Sequence, residues 1–187
     1  LTFQATLTVE AGDFRDEYKA SLMGWTFGKD PSETLTGEYD VVAVPGFGTE
    51  SDYEGLDVKG KIALVSRGEI PFVDKIAAAK NHGAAGLLVH NNVGEAPSGI
   101  LLGNSFAFIP TFDISTKDGN AFRKAIEATA NKTGKVTISG YEKGTTEGDK
   151  INDSSSRGPS TPTFDIKPDV SAPGTNIMSK SILLILV

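Results

Sequence analysis

The stretch GKIALVSRGEIPFVDKIAAAKNHGAAGLLVHNN, residues 60–92, decides the fold of this chain. Its first apolar run, at residues 61–67, is short and β-branched, which is typical of a buried strand. The next segment begins with Pro71 at the first helical position, has alanines in its middle turns, and reaches Gly83 where a left-handed C-cap would fall. A second apolar run of strand length follows at residues 85–92. The pattern therefore predicts strand, helix and strand in a right-handed crossover.

Further elements are predicted on both sides of this unit. Residues 39–45 (YDVVAVP), 109–115 (IPTFDIS) and 135–141 (KVTISGY) are apolar runs with strand character. Ser115 and Asp118 have the spacing of a capping box that opens a second helix. We therefore predict an α/β (α+β) chain, in which a small mixed β-sheet or open barrel carries two flanking helices.

The N-terminal part of the chain is harder to interpret. Its first residues predict a strand, because apolar side chains alternate at Phe3, Ala5, Leu7 and Val9. Residues 10–34 mix charged, aromatic and glycine residues without a clear period, so we assign no element to them.

Composition excludes several classes of function. The chain has 187 residues, of which 39% are hydrophobic, and this is enough for a real core. Its net charge of -6, without a basic stripe, argues against a nucleic-acid partner. The absence of cysteine excludes disulfides, thiolate zinc sites and a cysteine nucleophile. The apolar run ILLILV is far shorter than the roughly 20 residues of a membrane span, so no membrane partner is expected.

The order of features in residues 60–92 resembles the protease-associated (PA) domain. The shared order is Gly-Lys, strand, Arg-Gly, helix, Gly-Ala, strand and Asn-Asn, followed by the strand at residues 109–115. The resemblance implies the PA domain fold. It also implies a noncatalytic role, either control of access to an active site or contact with protein or peptide substrates.

Two motifs near the C-terminus suggest the larger protein. SSRGP at residues 155–159 and IKPDVSAPG at residues 166–174 are similar to the segment by which subtilisin-like serine proteases return from an inserted PA domain to their catalytic core. The likeness is greatest to the minor extracellular serine proteases of bacilli, although Ser154 stands where that family usually has phenylalanine. The resemblance implies that the catalytic aspartate, histidine and serine lie outside this chain. We therefore expect no catalytic residue and no peptidase activity here.

The same resemblance divides the chain into four parts. Residues 1–35 are a flanking segment from the catalytic side, 36–141 the PA domain, 142–179 the return segment, and 180–187 (KSILLILV) a non-native or divergent tail. The implied parent is a secreted, extracellular or cell-wall-associated bacterial enzyme. Its implied partners are the rest of the subtilisin-like catalytic domain and protein or peptide substrates. The alternative is a stand-alone protein-binding module of receptor type, which leaves the two C-terminal motifs unexplained.

The residues expected to contact a substrate or partner are Arg67, Asn91, Asn92 and Glu95. Arg67 follows a buried strand, where an arginine binds a ligand carboxylate or pairs with neighbours such as Glu69 and Asp74. Asn91 and Asn92 end another strand, where asparagine side chains commonly cap turns. If the domain has a ligand groove, its rim is expected at residues 91–97.

Other residues with chemical potential favour structural roles. His82 lies at a predicted helix C-terminus and His90 at a strand end, and no serine sits on a strained nucleophile turn near either. Residues 50–57 (ESDYEGLD) begin like a calcium loop, but Lys61 occupies its twelfth position, so a solvated hairpin turn is predicted instead. No metal or cofactor is expected.

Overall fold

The computed structural model describes residues 2–144 and contains eight strands, three α-helices and one 3-10 helix (Glu50–Tyr53) in that range. The strands are β1 Thr2–Ala11, β2 Phe14–Thr26, β3 Gly37–Ala43, β4 Ile62–Ser66, β5 Gly86–His90, β6 Gly103–Ser105, β7 Thr111–Ile114 and β8 Thr133–Gly144. The helices are α1 Pro31–Thr34, α2 Phe72–Asn81 and α3 Thr116–Ala128. The SSRGP and IKPDVSAPG motifs, Ser154 and the KSILLILV tail lie outside the described residues.

The strand, helix and strand predicted from residues 60–92 are β4, α2 and β5, and the two strands are parallel neighbours. Pro71 occupies the N-cap of α2 rather than its first helical position. At the other end, Gly83 has the left-handed φ of 80° expected after a helix. The Gly83 backbone N–H donates to the Lys80 carbonyl, and that of Ala84 donates to the Ala79 carbonyl. These two bonds form a Schellman motif, which ends the helix and turns the chain into β5.

The sheet is mixed and closes on itself. Strands β3, β4, β5 and β7 are mutually parallel. β8 lies antiparallel to β3, and β1 lies antiparallel to both β8 and β2. Because β2 also pairs with β7, seven strands form a closed ring, and β6 is an additional strand attached to β2. The predicted fold class is confirmed, although the barrel is closed rather than open.

Closure of the barrel depends on β2. This strand lies within residues 10–34, where the sequence showed no hydrophobic period. Its first half is mostly exposed, whereas Leu22, Met23 and Trp25 in its second half are all buried. A strand that changes from one environment to another along its length has no single alternation, so a search for a period of two misses it. By contrast, the predicted alternation of β1 is confirmed, since Phe3, Ala5, Leu7 and Val9 are buried.

The folded unit is longer than residues 36–141. β1, β2 and α1 all lie within residues 1–35, and both strands belong to the ring. The structure therefore places residues 2–35 in the same folded unit as the expected PA domain. The further assignment of residues 1–35 to the catalytic side of a parent enzyme stays a prediction.

Two apolar clusters hold the unit together. The first includes side chains from β1, β4, β5 and β7, together with Phe122 and Ile126 of α3. Of the predicted capping box, the structure shows the N-cap half: the Ser115 hydroxyl accepts a hydrogen bond from the Asp118 backbone N–H. The second cluster packs Ile76 and other residues of α2 against the sheet. No helix within residues 2–144 has the length and apolarity that crossing a membrane requires.

Candidate functional site

The four parallel strands all end at the same edge of the barrel. Because β3, β4, β5 and β7 run in one direction, the segments that follow them meet at that edge. We call the surface formed by residues 44–49, 67–71 and 91–97 the carboxyl rim. Ligands of α/β sheets commonly bind outside the carboxyl ends of parallel strands, so this edge is the natural place to look for a site. All four residues predicted to contact a partner lie on the carboxyl rim.

Asn91 organises the loop that follows β5. Its side chain is buried, and its amide nitrogen donates to the carbonyls of Val93 (2.7 Å) and Ala96 (2.8 Å). Its amide oxygen accepts from the backbone N–H of Asn92 (3.0 Å) and from the Arg67 guanidinium (3.0 Å). The expected turn-capping role is thus present at Asn91, which fixes residues 91–96 through one buried amide.

Arg67 is held in place by neighbours other than the predicted ones. Its Nη1 donates to the Asn91 amide oxygen, and its guanidinium carbon lies 5.8 Å from the centre of the Phe72 ring. Among residues 2–144, Arg67 forms no ion pair, so the expected pairing with Glu69 or Asp74 is absent there. The guanidinium is therefore oriented by an amide and an aromatic ring while keeping its full positive charge on a partly exposed surface.

Asn92 and Glu95 are both exposed. Asn92 is tied to the rim by its backbone N–H, whereas its side chain has no hydrogen-bond partner in the described part of the chain. The Glu95 carboxylate likewise has no hydrogen bond or ion pair within residues 2–144. These two side chains are available to a partner, and Asn91 is not.

Three apolar side chains on or beside the rim are exposed. They are Phe47 (37% exposed), Val73 (45%) and Val93 (66%). The Phe47 ring lies against Gly68, where an added Cβ would come within 2.1 Å of the ring. Glycine at position 68 therefore lets the ring lie close to the chain after β4. The combination of exposed apolar groups with an oriented arginine suits the binding of a polypeptide.

Beneath the rim lies a buried lysine that the sequence analysis missed. Lys75 belongs to α2, is fully buried, and donates from Nζ to the carbonyls of Phe47 and Ser66, the latter at 3.0 Å. Burial lowers the pKa of Lys75 to about 8, and the negative charge of Asp52 partly opposes that shift. The lysine ties the loop after β3 to the end of β4. The sequence did carry one signal of this burial: Lys75 follows Phe72 by three residues and therefore lies on the apolar side of the helix.

A second, partly buried cation supports the rim from α3. Arg123 donates from Nη1 to the Val44 carbonyl (2.7 Å) and from Nη2 to the Leu64 carbonyl (3.1 Å). Its Nε donates to Nε2 of His90 at 3.4 Å, while Nδ1 of His90 lies 3.1 Å from the Asn91 carbonyl. These contacts fit a neutral imidazole with its proton on Nδ1. Burial is the main reason that the pKa of His90 lies below its usual value.

The remaining candidates have structural surroundings. The Nε2 atom of His82 lies 2.9 Å from the Glu50 carboxylate, and its ring stacks on that of Tyr53. Residues 50–53 form a 3-10 turn with Tyr53 buried, so the predicted solvated hairpin is wrong. The reason is that β3 and β4 are parallel, and a hairpin cannot join parallel strands. Within residues 2–144 no group of acidic and histidine side chains could hold a metal ion.

Comparison with known protein families agrees with this architecture. Residues 37–122 match the family model described as the PA domain. The chain is 38% identical to "Minor extracellular protease Vpr" of Bacillus subtilis over 94% of its own length and 21% of the relative. It is 37% identical to "C5a peptidase" of Streptococcus pyogenes serotype M1 over 93% of its own length and 14% of the relative. The chain therefore spans about a fifth or less of these curated relatives.

A solved structure shares the fold. The aminopeptidase from Aneurinibacillus sp. strain AM-1 aligns with 76% of this chain and with 34% of its own chain, with a TM-score of 0.53 and 25% sequence identity. The fold of this chain is thus shared with part of an aminopeptidase. The relatives in sequence are subtilisin-like proteases, as the C-terminal motifs imply.

Proposed function

The chain carries a PA domain of the kind found in subtilisin-like proteases, and on that premise we propose that it guides protein substrates of a secreted endopeptidase. The observation that carries the proposal is the carboxyl rim, where apolar side chains are exposed on or beside the same segments as the oriented Arg67. The domain itself is noncatalytic in this proposal, and the peptide bond is cut by the catalytic domain of the parent enzyme. Extracellular action is supported by the similarity to the minor extracellular protease Vpr of Bacillus subtilis.

The rim has the properties of a binding surface. Binding patches are enriched in aromatic residues and arginine, and exposed apolar groups contribute when a partner removes them from water. Phe47, Val73 and Val93 supply apolar area, and Arg67 supplies a donor that matches carboxylates or main-chain carbonyls. The Asn91 amide, the buried Lys75 and the partly buried Arg123 hold the backbone of this surface in place, which limits the entropy lost on binding.

A surface of this kind contributes only to substrates large enough to reach it. A short peptide occupies the catalytic cleft alone, whereas an unfolded protein extends beyond it, so the rim should affect protein substrates selectively. The receptor-type alternative is less well supported, because the protease relatives match along 94% of the chain, including the segment after the PA domain.

The test compares two substrates in the full-length protease. Val93→Asp and Glu95→Lys alter apolar area and charge at exposed rim positions without removing any hydrogen bond found within residues 2–144. We expect kcat/KM for casein to change by about three- to tenfold while kcat/KM for a short chromogenic peptide stays nearly constant.

The matched control is Asp40→Lys, which reverses an exposed charge on β3 away from the rim and removes no ion pair found within residues 2–144. It should leave the ratio of the two rates unchanged. Equal losses on casein and on the peptide in the rim variants would contradict the proposal, since the domain would then act by stabilising the enzyme rather than by contacting substrates.

A further inference from the structure

A pair of phenylalanines with tilted, neighbouring rings is exposed at the end of the barrel opposite the carboxyl rim. Phe27 is 46% exposed and Phe106 is 75% exposed, and their ring centres lie 4.7 Å apart. The backbone beside them is well anchored, because the Phe27 N–H donates to the Ser105 carbonyl (3.0 Å) and Lys80 donates to the Phe106 carbonyl (2.7 Å). Two large aromatic rings are thus exposed to solvent on a backbone that is held in place. Such a pair is typical of an interaction surface.

The direction of the strands gives the location of this pair. β2 is antiparallel to β7, so it ends where the parallel strands begin, and β6 runs beside it in the same direction. Phe27 and Phe106 directly follow these two strands. β6 has β2 as its one strand neighbour in the described structure, so its other edge has no strand partner there. We call Phe27, Phe106 and β6 the aromatic patch.

The chain leaves the sheet at the same end. β8 is antiparallel to β3, and Gly144 at its end pairs with Thr2 at the start of β1. Lys143 forms an ion pair of 2.9 Å with Asp30, three residues after Phe27. The exit of β8 is therefore tied directly to the turn that carries one ring of the aromatic patch.

We propose that the aromatic patch is the surface on which the catalytic domain of a subtilisin-like protease docks. The curated relatives are about five times longer than this chain or more, so most of such a protein is attached through the ends of this unit. A domain tethered close to a surface has a high effective concentration there, which favours it over a free second copy of the chain. The inference rests on the proposed function only in taking the parent as a protease.

Site-specific photo-crosslinking in the full-length protease tests this surface. Phe106 is replaced by p-benzoylphenylalanine, and Val93 on the carboxyl rim is replaced in a separate protein as the matched exposed control. We expect irradiation to join position 106 to peptides of the catalytic domain within one polypeptide, and position 93 to form no such link. Links between two protease molecules, no link from position 106, or equal links from both positions would each overturn the proposal.

A double variant, Phe27→Ser with Phe106→Ser, provides a second measurement. In the 187-residue chain the two rings are exposed, so the thermal midpoint should hardly change. In the full-length protease, loss of the covered apolar area should shorten the half-life of thermal inactivation by roughly tenfold. Equal effects in both proteins, or none in the protease, would contradict docking.

The two proposals fail in different ways. Docking variants should lower activity on casein and on the short peptide in parallel, as the enzyme inactivates. Rim variants should change the ratio of the two rates. A normal crosslink at position 106 with an unchanged ratio in the rim variants would therefore remove the substrate-guiding role and leave the docking surface intact.

Discussion

Asn91 shows how one buried side chain can set the shape of a surface loop. Both of its amide hydrogens and its oxygen are used, on the carbonyls of Val93 and Ala96 and on donors from Asn92 and Arg67. A shorter apolar side chain could replace none of these bonds. The residue therefore belongs to the support of the rim rather than to its contact surface.

We expect Asn91→Ala to destabilise the domain by about 1–3 kcal/mol, because it leaves partly buried carbonyls and the Arg67 guanidinium without their partner. Urea unfolding measures the change. The matched control is Asn92→Ala at the neighbouring exposed position, which should change the free energy of unfolding by no more than about 0.5 kcal/mol. Similar losses in the two variants would show that the loop is not organised by the buried amide.

At the scale of the element, α2 carries its one buried charge on its apolar side. Ile76, Ala78 and Ala79 pack against the sheet, and Lys75 enters the same interface to reach two main-chain carbonyls. The ammonium group is more costly to bury than an amine. Its hydrogen bonds to the carbonyls of Phe47 and Ser66 offset this cost, because buried carbonyls need a donor.

The pH dependence of stability should reveal this lysine. Its ordinary pKa is 10.5, and in the folded domain it is about 8. Between these values the unfolded chain holds a proton that the folded domain lacks, so the free energy of unfolding rises with pH, by at most about 1.4 kcal/mol per pH unit. Below pH 8 both states hold the proton, and the contribution is constant.

The measurement is the difference in unfolding free energy between the wild type and Lys75→Met, followed from pH 7 to pH 10. The difference should shift in favour of the wild type as pH rises. Lys124→Met, at an exposed position of α3, provides the control and should give a curve parallel to that of the wild type. If the Lys75→Met curve is also parallel to that of the wild type, burial does not lower the pKa of Lys75, and the prediction is wrong.

Elements whose side chains have a uniform environment could be predicted from sequence. β4, α2 and β5 follow from residues 60–92 because each has one pattern along its whole length. β2 could not be predicted, since it changes from exposed to buried midway.

Part of the rim could be predicted, because Arg67 and Asn91 follow parallel strands. Lys75 and Arg123 could not, because their partners are carbonyls of β4 and of the loop after β3, which no local pattern reveals.

At the scale of the whole molecule, the barrel separates two surfaces. The carboxyl rim presents oriented polar and apolar groups at one end, and the aromatic patch lies at the other end beside the exit of β8. The ring of seven strands joins them as one rigid support. Its closure requires β1 and β2, so we expect that residues 36–141 alone do not form the complete unit.

We expect a fragment of residues 1–144 to unfold cooperatively and a fragment of residues 36–144 to lose that cooperativity. The shorter fragment lacks the buried side chains of β1 and β2, among them Leu7, Leu22 and Trp25, and it leaves edges of β7 and β8 unpaired. Urea unfolding and near-ultraviolet circular dichroism compare the two. A sharp transition of similar midpoint in both fragments would show that the ring need not close.

A ribosome makes β1 long before it makes β8, yet the two strands are neighbours in the finished sheet, with Thr2 opposite Gly144. While the chain is still growing, β1 can pair with β2 along one edge, but its other edge has to wait for its partner. Pairing between residues so far apart in sequence slows folding, because the loop must close before the contact forms. The barrel is therefore completed late, as a single event near the end of synthesis of this unit.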